Sequence, residues 1–248
     1  MKTLDLTVPS SWHELGDDEL RYVYSLIAQD FDSETVKTLC LLRWSGVKVV
    51  GHQSGDRWLL QKGDDFLEVS PLQLAQVLPA MDWLSAPPTA PVRPRKLRGA
   101  EALPADFQGV PLETYIVVDN LFQGYLATSD DGLLDELAAV LYPQRHGSRL
   151  RPGPEGRIAV FFWVTSLKEF LARKFPDFFQ PAGSAFGENL LASSPSAEDA
   201  MNAMIRALTK GDVTKEREIL ALDTWRALTE LNAMAREYRQ LDAQMKSK

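Results

Sequence analysis

The chain has 248 residues, enough for one large domain or two small ones, and it is 45% hydrophobic and 25% charged, as soluble globular proteins are. Its net charge of −7 argues against bulk attraction to nucleic acid or anionic membranes. With one cysteine, Cys40, it cannot form an internal disulfide, and its longest apolar run, Ile158 to Val164, is far shorter than the ~20 residues that cross a bilayer. The first residues lack the apolar run of a signal peptide, so we expect a cytoplasmic protein without membrane contact.

The first 85 residues combine helical and strand patterns. Apolar residues at helical spacing follow Asp17 and again Asp32, and Gly46 is placed to end the second helix, which predicts a helical hairpin. Short β-prone segments then alternate with turn residues, which predicts a small antiparallel meander. Its strands are expected at 47–53, 57–61 and 66–69. Ser70 and Pro71 have the residue types that begin a helix.

Residues 86–111 form the seam of the chain, because their six prolines exclude a long regular element. Segments of this composition are semi-rigid linkers or straps along a surface, and the sequence leaves both open. Four basic residues give the segment a local charge of +4: Arg93, Arg95, Lys96 and Arg98.

Residues 112–248 have helical periodicity for most of their length. Helices are predicted at 112–127, from an Asp130 cap to Leu141, at 158–175 and at 197–208, with loops at 143–156 and 177–196. The fold class predicted for the whole chain is α+β, predominantly α-helical, with the small antiparallel meander in its N-terminal part.

The strongest periodicity belongs to the C-terminal segment. Gly211 is placed to end one helix and Thr214 to cap the next, with Asp223 as the cap of a restarted helix. Alternating spacings of three and four place eight residues on one stripe: Leu220, Thr224, Ala227, Leu231, Met234, Tyr238, Leu241 and Met245. A second set diverges from that stripe: Leu222, Trp225 and Leu228.

This two-faced helix has two interpretations. It can dock on its own domain, or it can offer a face to a protein partner or a second copy of the chain. For the second interpretation, the candidate interface residues are Trp225, Leu228, Leu231, Tyr238 and Leu241.

Residue patterns typical of catalysis or metal binding are missing from the sequence. The three histidines lie at His13, His52 and His146, each without a second ligand at metal-binding spacing. Cys40 lies among leucines, a setting typical of core packing. The acidic pairs at 17–18, 64–65 and 130–131 fall where helices begin or hairpins turn. We therefore assign no catalytic, cofactor-binding or metal residue and expect no cofactor and no small-molecule substrate.

Basic residues cluster in two predicted loops, at 93–98 and 145–151. Neither loop interleaves aromatic residues with its basic ones, as platforms for single-stranded nucleic acid do. These loops remain the basis of an alternative hypothesis, that the chain binds nucleic acid.

Several segments together resemble an uncharacterised family of bacterial proteins with a phage-derived appearance. They are SWHEL, ETVKTLCLLRWSG, ADFQGVPLETYIVVDNLFQGYL, FPDFFQP and ALTKGDVTKEREILALDTWRALTELNAMAREY. The resemblance implies an accessory role in tail or virion assembly, and it assigns no functional residue.

The leading hypothesis is a non-enzymatic interaction protein that acts through its C-terminal helical region. A second hypothesis is an enzyme whose active-site residues converge only in three dimensions.

Overall fold

The computed structural model describes residues 8–53, 57–144, 150–179 and 197–246. Most of these residues are helical, and a three-stranded antiparallel sheet lies in the N-terminal part. The predicted fold class, α+β with predominant helix, is confirmed. The chain divides into two compact units, one of residues 1–88 with 154–159 and one of 89–153 with 160–248.

The first unit begins with the predicted helical hairpin, α1 at Asp17–Ile27 and α2 at Ser33–Trp44. The Gly16 amide donates to Glu19 Oε2 over 2.6 Å, which satisfies an amide left over at the start of α1. The Asp32 carboxylate accepts from the Thr35 amide over 2.9 Å and caps α2. Gly46 follows α2 with φ +69°, the left-handed conformation that glycine takes without a Cβ clash. Local chemistry was therefore sufficient to predict where both helices begin and where α2 ends.

The meander follows α2 with strand order β1-β2-β3. Its strands are β1 at Lys48–Gln53, β2 at Arg57–Lys62 and β3 at Asp65–Val69. A bulge between Val49 and Gly51 breaks the register of β1 on β2. After β3, Ser70 caps α3 at Pro71–Val77, and a 3-10 segment continues over Leu78–Ser85.

Aromatic rings form the core of the helical part of this unit. Trp12 stacks on Tyr24 and meets Trp83 edge-on, while Trp44 stacks on Trp83. The Trp12 indole N–H donates to the carbonyls of Trp83 (3.2 Å) and Ala86 (2.8 Å). The segment after the meander is thereby tied back to the start of the unit.

The second unit contains the remaining elements. Its short hairpin pairs β4 at Lys96–Leu97 with β5 at Ala100–Glu101. Its helices include α4 at Leu112–Thr128, α5 at Asp131–Leu141, α6 at Gly153–Lys174, α7 at Ala197–Thr209, α8 at Glu216–Leu220 and α9 at Thr224–Lys246. Within α6, residues 154–159 belong to the first unit. The core of the second unit surrounds Trp163 of α6, which is fully buried.

Within the proline-rich seam, residues 89–111 are a strap packed on the second unit rather than a free linker. Val92, Leu97, Phe107 and Val110 are buried there. The Tyr142 hydroxyl donates to the Pro94 carbonyl over 3.0 Å. Prolines exclude a helix, but they leave their carbonyls and neighbouring side chains available for packing, and here both are used.

The strap ends in a turn, residues 104–110, that contacts both α6 and the start of α9. The Ala105 carbonyl accepts the indole N–H of Trp163 over 2.9 Å, and the Asp106 carbonyl accepts that of Trp225 over 2.7 Å. The next residue, Phe107, is fully buried and has φ +64°. This left-handed conformation costs a bulky residue about 1–3 kcal/mol. The turn keeps this conformation because several contacts from the surrounding structure fix it.

The start of α9 is held on the same turn by Asp223 and Thr224. The Thr224 amide (2.8 Å) and hydroxyl (2.7 Å) both donate to the Val110 carbonyl. The Asp223 carboxylate accepts from the amides of Gly109 (2.5 Å) and Arg226 (3.0 Å), so one side chain caps α9 and binds the turn.

The C-terminal segment is divided differently from the prediction. Thr214 does not cap a helix: its amide and hydroxyl donate to Asp212, which is the actual cap. A 3-10 turn at Val213–Lys215 and the short α8 follow, and the long helix starts only at Thr224. The predicted Asp223 restart is confirmed. The predicted Thr214 cap is therefore wrong: Asp212, two residues earlier, has the cap chemistry that is used.

Replacing Asp223 with alanine should lower the free energy of unfolding by about 1–3 kcal/mol, because two amides at the junction of the turn and α9 lose their acceptor. Urea titration followed by tryptophan fluorescence measures the change. The matched control is Glu230→Ala, an exposed carboxylate on the same helix, expected to change stability by no more than about 0.5 kcal/mol. Equal effects of the two changes would contradict the role given to Asp223.

Candidate interaction surface on the C-terminal helix

The proximal half of α9 is part of the core of its own unit. Its buried positions repeat at helical spacing: Thr224, Ala227, Leu228, Leu231, Asn232 and Ala235. Two of the predicted interface residues, Leu228 and Leu231, are therefore used inside the unit and are fully covered. For these two the docked-helix interpretation is the correct one, because both belong to the core cluster around Trp163.

Trp225 is also occupied by its own chain. Its indole N–H binds the Asp106 carbonyl, and its ring lies against Phe170 and Phe175, with ring centres 6.0 Å and 5.6 Å away. A partner that contacted Trp225 would meet only the part of the ring left uncovered. Trp225 thus anchors the turn and α6 to α9.

A polar cluster fixes the middle of α9. The Asp177 carboxylate pairs with Arg236 at 2.8 Å and also with Arg239. The Asn232 side chain accepts the Phe178 amide over 3.0 Å and donates to Asp177 over 3.3 Å. The hydrogen bonds and positive charges of Arg236 and Arg239 lower the pKa of Asp177. We call these residues the Asp177 clamp.

Beyond Ala235 the helix continues, and the apolar side chains of its stripe are exposed there. Tyr238 is 41% exposed, Leu241 59% and Met245 71%, while Met234 is half-buried. All four, spaced by four, three and four, lie on one side of the helix, and we call the last three, Tyr238, Leu241 and Met245, the exposed end of α9. Of the predicted interface residues, Tyr238 and Leu241 belong to it.

The two edges of this stripe differ. On one side it borders the positions of Leu231 and Ala235, which are buried in the unit. On the other side, from residue 230 onward, it borders exposed residues: Glu230, Ala233, Glu237, Gln240 and Gln244. That stretch of the edge carries two negative charges and no positive one, whereas Arg226 lies exposed on the same edge one turn before Glu230. The border of the stripe is therefore acidic beside Met234 and Tyr238.

A second exposed apolar set lies on the meander, but it is divided. Val49, Val50, Trp58 and Phe66 are 41–52% exposed. Phe66 pairs with Gln61 of β2, so their side chains point to the same face of the sheet. Trp58 lies three residues before Gln61 on β2 and therefore points to the opposite face. The end of α9 is the more continuous apolar surface.

The side chains that could act in catalysis or metal binding are buried, cap helices or lie apart from one another. Burial raises the pKa of Cys40 to about 12, which removes its thiolate near neutral pH. Asp130 caps α5 by accepting the Gly132 amide over 2.8 Å. His13 and His52 are exposed, and His146 lies outside the described residues. Among the residues that the structure describes, no three His, Cys, Asp or Glu side chains form a group that could hold a metal ion.

The two basic loops are described only in part. Arg93 turns inward: it donates to the Leu103 carbonyl over 2.7 Å and lies over the Trp163 ring. Arg95, Lys96 and Arg98 lie farther along the strap, where Lys96 is exposed and pairs with Glu101 at 3.4 Å. Of the second loop, residues 145–149 lie outside the described ranges, and Arg151 is exposed.

No protein-family model matches the chain, and no match was found among the curated proteins or the solved structures with which it was compared. None of the helices in the described ranges is long and apolar enough to cross a membrane.

The Asp177 clamp makes stability depend on pH in a defined direction. Since the folded pKa of Asp177 lies below its unfolded value, the clamp stabilises fully above the unfolded pKa and is lost as pH falls through the folded one. Asp177→Asn should therefore lower the free energy of unfolding by about 1–2 kcal/mol at pH 7. The difference in this free energy between the variant and the native chain should shrink below about pH 4.

Urea titrations of both chains at pH 7 and at acidic pH give this difference, with Glu230→Gln as the control on the same helix. A cost that stays constant across this range would show that the Asp177 charge is not what stabilises the clamp.

Proposed function

We propose that this protein is a non-enzymatic interaction protein that binds a protein partner through the exposed end of α9. The observation that carries the proposal is the exposure of Tyr238, Leu241 and Met245 on one stripe of a helix whose proximal half is fixed in a core. Full burial of an exposed Leu or Met side chain contributes about 1.5–3 kcal/mol, so a partner that covers Leu241 and Met245 gains part of this free energy for each.

The preorganisation of α9 supports the same proposal. Isolated helices shorter than ~12–15 residues are marginal in water, so a free peptide as short as the exposed end would lose part of its binding energy to ordering. Here the Asp177 clamp and the buried residues up to Ala235 hold the preceding turns in place. The exposed end extends from a helix that is already formed, which lowers the ordering cost of binding.

The sequence resemblance supports a more particular form of the proposal. In that form the protein is a tail or virion assembly accessory, working in the cytoplasm and using the end of α9 to engage an assembly component. A chaperone-like accessory of this kind needs a binding surface and no catalytic group.

Replacing Leu241 and Met245 with serine should abolish partner binding without unfolding the chain, because both side chains are exposed. The measurement is affinity purification of the tagged full-length protein from cells that produce it naturally, with quantitative mass spectrometry. We expect the native chain to co-purify with a specific set of proteins and the double variant to lose that set.

The matched control is Val213→Ser, which changes another exposed apolar side chain of the same unit, 80% exposed, and should leave the set intact. Urea titration should place all three proteins within about 0.5 kcal/mol of one another. An unchanged set of partners in the double variant would contradict the proposed surface.

A further inference from the structure

We propose that the exposed end of α9 inserts into an apolar groove of a different protein, and that lysine or arginine residues line the border of this groove facing Glu230 and Glu237. The inference rests on the proposed function and adds the chemistry of the partner to it.

The shape of the surface indicates a groove. Tyr238, Leu241 and Met245 are spaced i, i+3 and i+7, the pattern by which amphipathic helices place their anchors in an apolar groove. Leu241 and Met245 are more exposed than Tyr238, so exposure increases toward the distal turns. A groove can enclose these turns on the stripe and along its acidic border.

The charge of the border indicates what lines the groove. Glu230 and Glu237 are seven residues apart and lie on the same edge of the stripe, two turns from each other. The other residues of that edge from 230 onward are Ala233, Gln240 and Gln244, which are exposed and uncharged. Acidic residues brought against Glu230 and Glu237 would be repelled, whereas basic residues would be attracted and would set the direction of docking.

A second copy of the chain fits the same surface poorly. In a symmetric antiparallel pair the same edge of each helix faces its equivalent, so the acidic borders would meet. An interface of standard size also engages about 20–30 residues on each side, more than the terminal turns of α9 supply. A groove supplies contact area on its walls and needs fewer residues from the helix.

Site-specific photo-cross-linking tests the inference in the full-length protein. A benzophenone amino acid replaces Leu241 in one chain and Val213 in a control chain, and both are irradiated in cells that produce the protein naturally. Mass spectrometry then identifies the attached protein and the attached residue. We expect an adduct from position 241 but not from 213, on an apolar segment flanked by lysine or arginine.

Charge reversal tests the border directly. Glu230→Lys with Glu237→Lys should lower the adduct yield from position 241 by about tenfold or more, because the basic border is then repelled. Glu216→Lys with Glu218→Lys makes the same change of charge on the exposed surface of α8 and should leave the yield unchanged. Circular dichroism checks that each chain is folded.

The outcomes separate the inference from the proposed function. An adduct with another protein that survives reversal at 230 and 237, or that maps to an acidic surface, overturns the basic groove and leaves the interaction role standing. Adducts confined to a second copy or to the chain itself overturn the groove in a different protein. If position 241 forms no intermolecular adduct and the Leu241 and Met245 changes leave binding intact, both proposals fail.

Discussion

The turn at residues 104–110 is the constraint on which the second unit depends, because its carbonyls accept hydrogen bonds from both α6 and α9. Trp163 binds the Ala105 carbonyl, Trp225 the Asp106 carbonyl and Thr224 the Val110 carbonyl. These contacts hold Phe107 in a left-handed conformation within the core. A strained residue at the centre of a packed unit persists only when several contacts fix it, and here side chains more than fifty positions away do so.

This anchoring explains why the two parts of α9 differ. Its first turns are fixed by Asp223, Thr224 and Trp225, and its middle by the Asp177 clamp. Beyond Ala235 no residue of the helix is fully buried among those described, and the apolar stripe passes from the core into solvent. One helix therefore combines a rigid base with an exposed end, which is the arrangement that favours binding to a partner at low ordering cost.

Local chemistry predicted much of the fold. Asp32, Gly46, Ser70, Asp130 and Asp223 each act at the helix boundary where their residue type places them, because capping depends on neighbours within a few positions. Contacts between distant residues were not predictable in this way. Trp225 is 119 positions from its acceptor at Asp106, and Asp177 is 59 from Arg236. Nothing local in the sequence marks either pair.

The candidate surface was predictable only as a stripe. Leu231 and Leu241 have the same residue type and lie on the same stripe, yet one is fully buried and the other 59% exposed. Periodicity reports which side of a helix is apolar but not where the covering core ends. On α9 the covering core ends at Ala235, the last buried residue of the helix among those described.

Residue-resolved amide hydrogen exchange on the native chain tests the division of α9 most directly. Amides from Leu228 to Ala235 should exchange only through opening of the unit, with protection near that of the α6 core. Amides from Arg239 to Lys246 should exchange orders of magnitude faster, through fraying of the exposed end alone. Uniform protection along α9 would show that the end is already covered, and rapid exchange beginning before Asn232 would show that the Asp177 clamp does not hold the helix.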